Sequence, residues 1–193
     1  MNKRLYLILI LLVLVSFLID KQLTLLITAL RSSYLDKLAI FPLLRPIAVL
    51  PIGFLVLALL NRKKSVSIKG QKQRFFITLR WLIAFLSTAL LVTLLKSIIL
   101  RTRPFEALGL ELITGAGYSF ASWNTGFPSW HTASAATLLP FIRENKKIKY
   151  MWFVYIFLIG FSRLYLGVHY LSDVFVGALL GYFIALVVKN FKK

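Results

Sequence analysis

The sequence contains no cysteine, which excludes a scaffold held together by disulfide bonds. Charged residues are also few, at 16% of the 193 residues against about 25% in an average soluble protein. Hydrophobic residues make up 59%, more than a soluble domain of this length can remove from water. The composition therefore excludes a soluble globule and a disordered chain. It indicates a polytopic membrane protein, and we expect residues 1–193 to form one domain.

The sequence also contains few acidic residues. Six Asp and Glu stand against 24 Lys and Arg, so the formal net charge is +18. In a soluble chain this balance would suggest nucleic-acid binding. Here the basic residues fall in short loops between apolar runs and form no continuous face, so we expect no nucleic-acid partner. We expect them at membrane surfaces, in contact with anionic lipid, and nothing in the sequence indicates an obligate protein partner.

Six apolar runs predict an all-α fold, a bundle of six transmembrane helices, each of which needs about 20 apolar residues. The mixed stretch 20–37 predicts an interfacial segment after the first helix. The fourth run is short, so either its helix begins near Ser129 and is buried among its neighbours, or the bilayer thins there. The six runs cover residues 5–19, 40–60, 75–100, 131–142, 150–166 and 170–188.

Two thirds of the basic residues fall in segments on one side of this arrangement, and these segments include both termini. Cytoplasmic segments carry an excess of Lys and Arg. We therefore expect a multi-pass protein of the cytoplasmic (inner) membrane with both termini in the cytoplasm. Four of the remaining cations lie at or near the outer ends of the third and fifth helices, where charge is costly and marks a functional candidate. They are Lys96, Arg101, Arg103 and Arg163.

Unusual polar residues occur in three clusters. In the first, Lys96 and Arg103 are seven positions apart, so they share a face if the helix continues, and Pro104 should end that helix. The second is the sequence Pro-Ser-Trp-His at 128–131, where the fourth helix begins. Backbone N–H groups at a helix N-terminus favour an anion.

The third cluster begins with Ser162 and Arg163 and continues, after five residues, to His169 and Asp173. His169 and Asp173 are four positions apart at the start of the sixth helix, so they can be in contact. All three clusters fall on the non-cytoplasmic side, although the topology was deduced from charge and length alone. The chain has only two histidines, and both lie in these clusters. The clusters therefore predict one site that faces the periplasm or the exterior.

These residue types suit a phosphate group. Lys96, Arg103 and Arg163 supply fixed positive charge for a dianion and for a phosphoryl transition state. Ser129 and nearby backbone amides add donors. One histidine can attack phosphorus while the other protonates the leaving oxygen.

Asp173 is the only acidic residue of the three clusters. A carboxylate behind a histidine fixes its tautomer and stabilises its cation, as Asp173 could for His169. Because no group of carboxylates is available to hold a catalytic metal, we expect no metal and no cofactor.

Taken together, the three clusters resemble the signature of the type 2 phosphatidic acid phosphatase (PAP2) superfamily, in its branch of membrane lipid phosphatases. That signature reads Lys-x6-Arg-Pro, Pro-Ser-Gly-His and Ser-Arg-x5-His-x3-Asp, in this order. The first and third parts are matched in full, and the second departs only at Trp130, where the family usually has glycine. The motifs span residues 96–173, and the six-helix arrangement extends the resemblance over nearly the whole chain.

The resemblance implies a role for each matched residue. His169 would be the nucleophile that forms a phosphohistidine, Asp173 would orient it, and His131 would be the general acid for the leaving group. Four residues would hold the phosphate, and no metal would be needed. They are Lys96, Arg103, Ser129 and Arg163.

The resemblance also implies an integral membrane phosphatase that hydrolyses a lipid phosphomonoester or diphosphate. The substrates it suggests are undecaprenyl diphosphate, phosphatidylglycerophosphate or phosphatidate, and the 1-phosphate of lipid A. Two alternatives stay open, namely a lipid phosphotransferase with the same site and a transporter of anionic lipids. Outside the signature, Arg101 is interpreted as a contact for lipid headgroups, and residues 105–127 as either an interfacial loop or a lid.

Overall fold

Every regular element in the described part of the chain is helical, so the expected all-α fold is confirmed. The computed structural model describes residues 3–41, 44, 46–60, 68–111, 113, 125–142 and 145–191. A 3₁₀ turn, Leu139–Phe141, follows the sixth helix. The α-helices are α1 (Lys3–Thr28), α2 (Ser33–Ala39), α3 (Pro46–Leu60), α4 (Ile68–Ile99), α5 (Pro104–Ala107), α6 (Trp130–Ala136), α7 (Lys146–Tyr165) and α8 (Leu171–Asn190).

Three stretches are long and apolar enough to cross a membrane, namely Tyr6–Thr28, Gly70–Ala107 and Leu171–Asn190. A shorter apolar helix covers Ala48–Leu60. α7 has 20 residues but carries lysines in its first turn and an arginine in its last. The expectation of a membrane protein is thus confirmed, whereas the number of six spans stays a prediction. Large apolar side chains are exposed along α1 and α7, as suits helices that face lipid: Leu7, Leu18, Leu26, Phe153 and Phe157.

The first helix is longer than the sequence predicted. α1 continues to Thr28, so the assignment of residues 20–28 to an interfacial segment was wrong. The physical reason is that Asp20, Thr24 and Thr28 lie at four-residue spacing on one face of the helix, and all three are buried. These polar side chains face the interior of the bundle and not the membrane surface. Only α2, which Ser32 caps by accepting a hydrogen bond from the backbone of Leu35, remains a candidate interfacial segment.

The start of the short fourth helix agrees with the first of the two alternatives, because Ser129 is the N-cap residue of α6. This helix ends earlier than predicted, at Ala136, and the following 3₁₀ turn contains Pro140, which has no N–H to continue an α-helix. The buried hydroxyls of α6 donate to its own carbonyls, as Ser134 Oγ does to His131 O over 3.0 Å. A broken helix of this kind is tolerated at membrane depth where protein surrounds it.

Two glycines on α8 bring its backbone into contact with α6. A Cβ at Gly177 would lie 2.5 Å from the carbonyl oxygen of Ser129, and a Cβ at Gly181 would overlap the carbonyl of Ala133. Glycines four residues apart commonly allow such close approach between membrane helices. The contact fixes the start of α6, with the second motif, against the first half of α8.

Candidate active site

The structure brings all seven candidate residues to one end of the bundle. α4 ends there, α6 and α8 begin there, and α7 ends there. Five of the seven residues have an exposed fraction of 4% or less, namely Arg103, Ser129, Arg163, His169 and Asp173. Burial of charge requires partners, and the charged side chains Arg103, Arg163 and Asp173 find them in this cluster.

The first motif is held together by a turn and not by a continuous helix. α4 ends at Ile99, and Leu100 has φ 48°, the one non-glycine residue with positive φ among those described. The helix does not continue, so the condition under which Lys96 and Arg103 would share a helical face is not met. The expectation that Pro104 ends the helix was wrong. Pro104 instead begins α5, with Arg103 as its N-cap residue.

Arg103 contacts the nucleophile candidate. Its Nη1 donates to the carbonyl oxygen of Val168 over 2.7 Å and lies 3.4 Å from His169 Nε2. The next residue along, Phe105, donates its N–H to Gly167 O over 2.9 Å. The segment after α4 is thus bound to the turn between α7 and α8, and Arg103 is directed at His169.

Lys96 is held from the segment that precedes the second motif. Its Nζ donates to Thr125 O over 2.6 Å, and Thr125 Oγ1 donates back to Lys96 O over 3.3 Å. Lys96 lies within electrostatic range of Arg103, Asp173 and His169. The ammonium group therefore contributes charge to the site while a main-chain carbonyl fixes its position.

The second motif forms the cap of α6. The N–H of Ser129 donates to Asp173 O over 2.9 Å, and its buried Oγ has no hydrogen-bond partner among the residues that the structure describes. Trp130 is the first residue of α6 and needs no positive φ, so the departure from the family's glycine strains no backbone. Its ring packs edge-on against Phe85, with the centroids 5.1 Å apart.

Arg163 contacts the second histidine. Its Nη1 lies 3.2 Å from His131 Nε2, its Nη2 donates to Ala39 O over 3.1 Å, and its Nε donates to Ser162 Oγ over 3.1 Å. All three nitrogens are thus engaged, one of them by the end of α2. Because arginine is only a donor, His131 Nε2 is an acceptor in this arrangement.

His169 lies between a carboxylate and a cation. Its Nδ1 is 3.6 Å from Asp173 Oδ2, just beyond hydrogen-bond length, and its Nε2 faces Arg103. Burial, followed by the charges of Arg103, Lys96 and Arg163, lowers the pKa of His169 well below its usual range. The ring is therefore neutral at neutral pH, and the two histidine rings are 6.2 Å apart between centroids.

Two charged residues belong to the cluster that the sequence interpretation left out. Arg101 was interpreted as a contact for lipid headgroups, but its Nη1 lies 2.6 Å from Asp173 Oδ1 and its Nη2 lies 2.7 Å from Asp20 Oδ2. Asp20 also means that Asp173 is not the only acidic residue here. The turn at Leu100 sends Arg101 inward, which spacing alone does not reveal. The available signal was Asp20 itself, a charge inside an apolar run.

The structure describes only part of the loop at 105–127 and only part of the chain that could bind a metal. Residues 112 and 114–124 lie outside the described residues, so the choice between an interfacial loop and a lid stays open. Within the described ranges, no group of three or more His, Cys, Asp or Glu could hold a metal ion. The absence of a catalytic metal remains a prediction.

Fold and site together define a helical membrane protein with a buried cationic site suited to a phosphate group. The model of the PAP2 superfamily matches residues 77–193, and the chain belongs to this superfamily. The family resemblance drawn from the three motifs is thereby confirmed.

Curated relatives agree with this assignment. Phosphatidylglycerophosphatase B of Bacillus subtilis (strain 168) is 35% identical over 122 residues, which cover 57% of this chain and 55% of that protein. Bacitracin transport permease protein BcrC of Bacillus licheniformis is 43% identical over 67 residues, 34% of this chain and 32% of that protein. The chain thus spans about half, or less, of the length of these relatives.

Solved structures share the fold over nearly the full chain. LpxE of Aquifex aeolicus has a TM-score of 0.63 at 28% identity and covers 90% of this chain and 96% of its own. A PAP2-type phosphatidylglycerolphosphate phosphatase from Bacillus subtilis has a TM-score of 0.67 at 24% identity, with 96% and 94% covered. The second likeness is one of fold alone.

Proposed function

We propose that this chain is an integral membrane phosphatase that hydrolyses a phosphomonoester or diphosphate on a lipid. The observation that carries the proposal is the pairing of each histidine with an arginine. His169 Nε2 lies 3.4 Å from Arg103 and His131 Nε2 lies 3.2 Å from Arg163. Two nitrogens suited to attack and to proton transfer thus face two guanidinium groups suited to phosphate oxygens.

The phosphate is held by Lys96, Arg103, Ser129 and Arg163. Its oxygens compete with the histidine nitrogens for the arginine donors, because a phosphate dianion accepts hydrogen bonds more strongly than a neutral imidazole. Binding of substrate therefore frees the lone pair of His169 Nε2 for attack. Ser129 Oγ, buried without a partner among the described side chains, is placed to donate as well.

In the first step His169 Nε2 attacks phosphorus, and the bond from phosphorus to the leaving oxygen breaks. His131 Nε2 accepts from Arg163 at rest, and it takes up a proton from water or from the substrate phosphate once that phosphate has displaced Arg163. It then gives this proton to the leaving oxygen, so the lipid leaves as an alcohol or a monophosphate. Asp173 stabilises the positive charge that the imidazole of His169 acquires. The product on the protein is a phosphohistidine.

In the second step His131, now neutral, takes a proton from water. The resulting hydroxide attacks phosphorus, the bond between nitrogen and phosphorus breaks, and inorganic phosphate is released. His169 returns to its neutral state with its Nδ1 proton directed at Asp173. No step requires a metal ion, so activity should persist with a chelator present.

The lipid nature of the substrate follows from a site at the ends of apolar helices and from the relatives. The name phosphatidylglycerophosphatase favours a glycerophospholipid phosphate. A carrier-lipid diphosphate such as undecaprenyl diphosphate and the 1-phosphate of lipid A remain candidate substrates. The excess of basic residues in the opposite loops supports a cytoplasmic membrane protein with cytoplasmic termini and a site on the other side.

The test is phosphate release by the purified protein in detergent, with chelator, from phosphatidylglycerophosphate, phosphatidate, undecaprenyl diphosphate and lipid A. His169→Ala should lower turnover by roughly 10³-fold or more and abolish acid-labile phosphoenzyme. Lys149→Ala, an exposed change at the far end of α7, is the matched control and should behave as wild type. Full activity of His169→Ala would refute the assigned nucleophile.

The two alternatives are tested in the same experiment. A phosphotransferase would release little phosphate until an acceptor alcohol is supplied, and would then phosphorylate it. A transporter is worth testing because one relative is named a transport permease. Lipid transport by His169→Ala in vesicles, without phosphate release by wild type, would favour that function.

A further inference from the structure

An ionic network lies behind the site, and the mechanism above does not use it. Arg101 is at its centre. Its Nη1 donates to Asp173 Oδ1 and to Ser172 Oγ, each over 2.6 Å, and its Nη2 donates to Asp20 Oδ2 over 2.7 Å. The guanidinium also lies 4.4 Å from the centroid of the Tyr170 ring. These contacts fix Arg101 from two sides, since carboxylates bind its edge and an aromatic ring covers its face.

Asp20 is the far end of this network. It is the one acidic residue of α1, and it is 4% exposed. Its Oδ1 accepts from the N–H of Ser172 over 2.9 Å, and its Oδ2 accepts from Arg101 and, in a short hydrogen bond, from the hydroxyl of Ser172. An ionisable residue inside a membrane helix is costly and usually functional. Here it joins α1 to the start of α8.

We propose that Arg101 and Asp20 are positioning residues that set the orientation and the effective charge of Asp173 for His169. This inference rests on the proposed function, because it concerns the same phosphoryl transfer. Arg101 binds Oδ1 of Asp173, while the N–H of Tyr170 donates to Oδ2 over 2.8 Å. With both oxygens fixed, the carboxylate keeps Oδ2 directed at His169 Nδ1.

Charge explains why a second carboxylate is needed. If Arg101 paired with Asp173 alone, the pair would be neutral and would do little to stabilise a cationic His169. Asp20 shares the same guanidinium, so the three groups together carry one negative charge. That charge is available when the imidazole of His169 becomes positive on bonding to phosphorus.

The network also determines the pH at which His169 is neutral. Charges on every neighbouring element act on this ring: Lys96 from α4, Arg103 before α5, His131 from α6, Arg163 from α7 and Asp173 from α8. Arg101 and Asp20 act through Asp173. Removal of Asp20's charge leaves the surroundings more positive and lowers the pKa of His169, whereas removal of Arg101's charge raises it.

The experiment compares the pH dependence of kcat/KM for wild type, Asp20→Asn and Arg101→Gln, with the lipid that wild type hydrolyses best. The acid limb of the profile reports the protonation of the nucleophile in the free enzyme. It should move to lower pH in Asp20→Asn and to higher pH in Arg101→Gln, each by about half a unit to one unit. Both variants should lose kcat by roughly 10- to 100-fold with little change in KM.

Shifts of the acid limb in opposite directions would show that Arg101 and Asp20 act on His169 through charge. If the two residues only supported the structure, their replacement would lower activity without moving the acid limb. Asp36→Asn is the matched control, because it removes a carboxylate that accepts from the Tyr165 hydroxyl over 2.7 Å, outside this network. Its acid limb should stay near that of wild type. Asp20→Glu keeps the charge and should restore the wild-type limb even where kcat remains reduced.

The outcomes are distinct. Shifts in the same direction, or no shift in either variant while wild type is active, would overturn the inference and leave the proposed function standing. Absence of phosphate release by wild type from every lipid would overturn the proposed function and this inference with it. If Arg101→Gln does not fold, Arg101→Lys replaces it: kcat should fall with the limb unmoved, and a moved limb would contradict the proposal.

Discussion

The part of the site that carries His169 differs from the stretch that supplies its first cations. The turn from α7 to α8, residues 162–173, contains local features that contribute to its shape. Gly167 adopts φ 67°, and Asp173 accepts from the N–H of Tyr170 at the start of α8. Residues 96–103 take their shape from distant partners, since Arg103 donates to Val168 O and Arg101 binds Asp20. Both motifs are recognisable in the sequence, but the conformation of the one held by distant partners is not predictable from local residues.

The largest effect expected within this comparison concerns the two phosphate arginines. Arg163 uses Nε, Nη1 and Nη2 toward three different partners, and a lysine has one nitrogen. Arg163→Lys should therefore lower kcat/KM by about 10²-fold. Arg103→Lys should lower kcat/KM by about tenfold, because a lysine ammonium can keep both the hydrogen bond to Val168 O and a positive charge near His169.

Steady-state kinetics on the preferred lipid, with inhibition by inorganic phosphate as a measure of anion binding, would check this order. A greater loss in Arg103→Lys than in Arg163→Lys would contradict it. That result would show that activity depends more on the exact side chain in residues 96–103 than in residues 162–173.

The features that could be predicted from the sequence are those set by local residues, and the features that were missed are those set by distant partners. The all-α fold, the membrane class and the family were predicted, because composition and motif spacing are local properties. A start of the fourth helix near Ser129 was one of two alternatives, raised by the shortness of its apolar run, and Ser129 is the N-cap residue of α6. The pairing of Arg101 with Asp20 was not predicted, because these residues are far apart in sequence and only the packing of α1 on α8 brings them together. Leu100 was missed for a related reason, as its positive φ serves the tertiary turn.

A second test concerns the packing that joins the two parts. Gly181→Ala would place a methyl group on the carbonyl of Ala133, and Gly177→Ala would place one 2.5 Å from Ser129 O. Each should lower the free energy of unfolding by about 1–3 kcal/mol. Gly177→Ala should also lower activity, because Ser129 belongs to the proposed phosphate site.

Thermal unfolding in detergent and phosphate release would measure the two effects. Val187→Ala, on the same helix but 65% exposed, serves as the control and should change neither by much. Equal activity of Gly177→Ala and Gly181→Ala would argue against the idea that the contact between Gly177 and Ser129 positions Ser129 for activity.

The smallest effect expected is the pH dependence of stability. The pKa of His169 is lowered in the folded protein, so the unfolded chain binds the proton first as pH falls below about 6.5. Stability is therefore lost on acidification, by up to about 1.4 kcal/mol for each pH unit below that value. His169→Gln, which takes up no proton, should unfold at a temperature that falls less between pH 7 and pH 5. An identical fall in wild type and variant would disprove the contribution of His169.

The contacts of the two histidines with Arg103 and Arg163 have a consequence for chemical reactivity at rest. Because each Nε2 accepts from a guanidinium, both imidazoles are protected from electrophiles as long as no anion is present. Only a ligand that attracts both guanidinium groups exposes the nitrogens, so under the proposed mechanism the nucleophile becomes available only to molecules that carry a phosphate-like charge. A histidine-acylating reagent should therefore modify the protein slowly in anion-free buffer. Modification should become faster when an oxyanion too small to fill the site draws the arginines away.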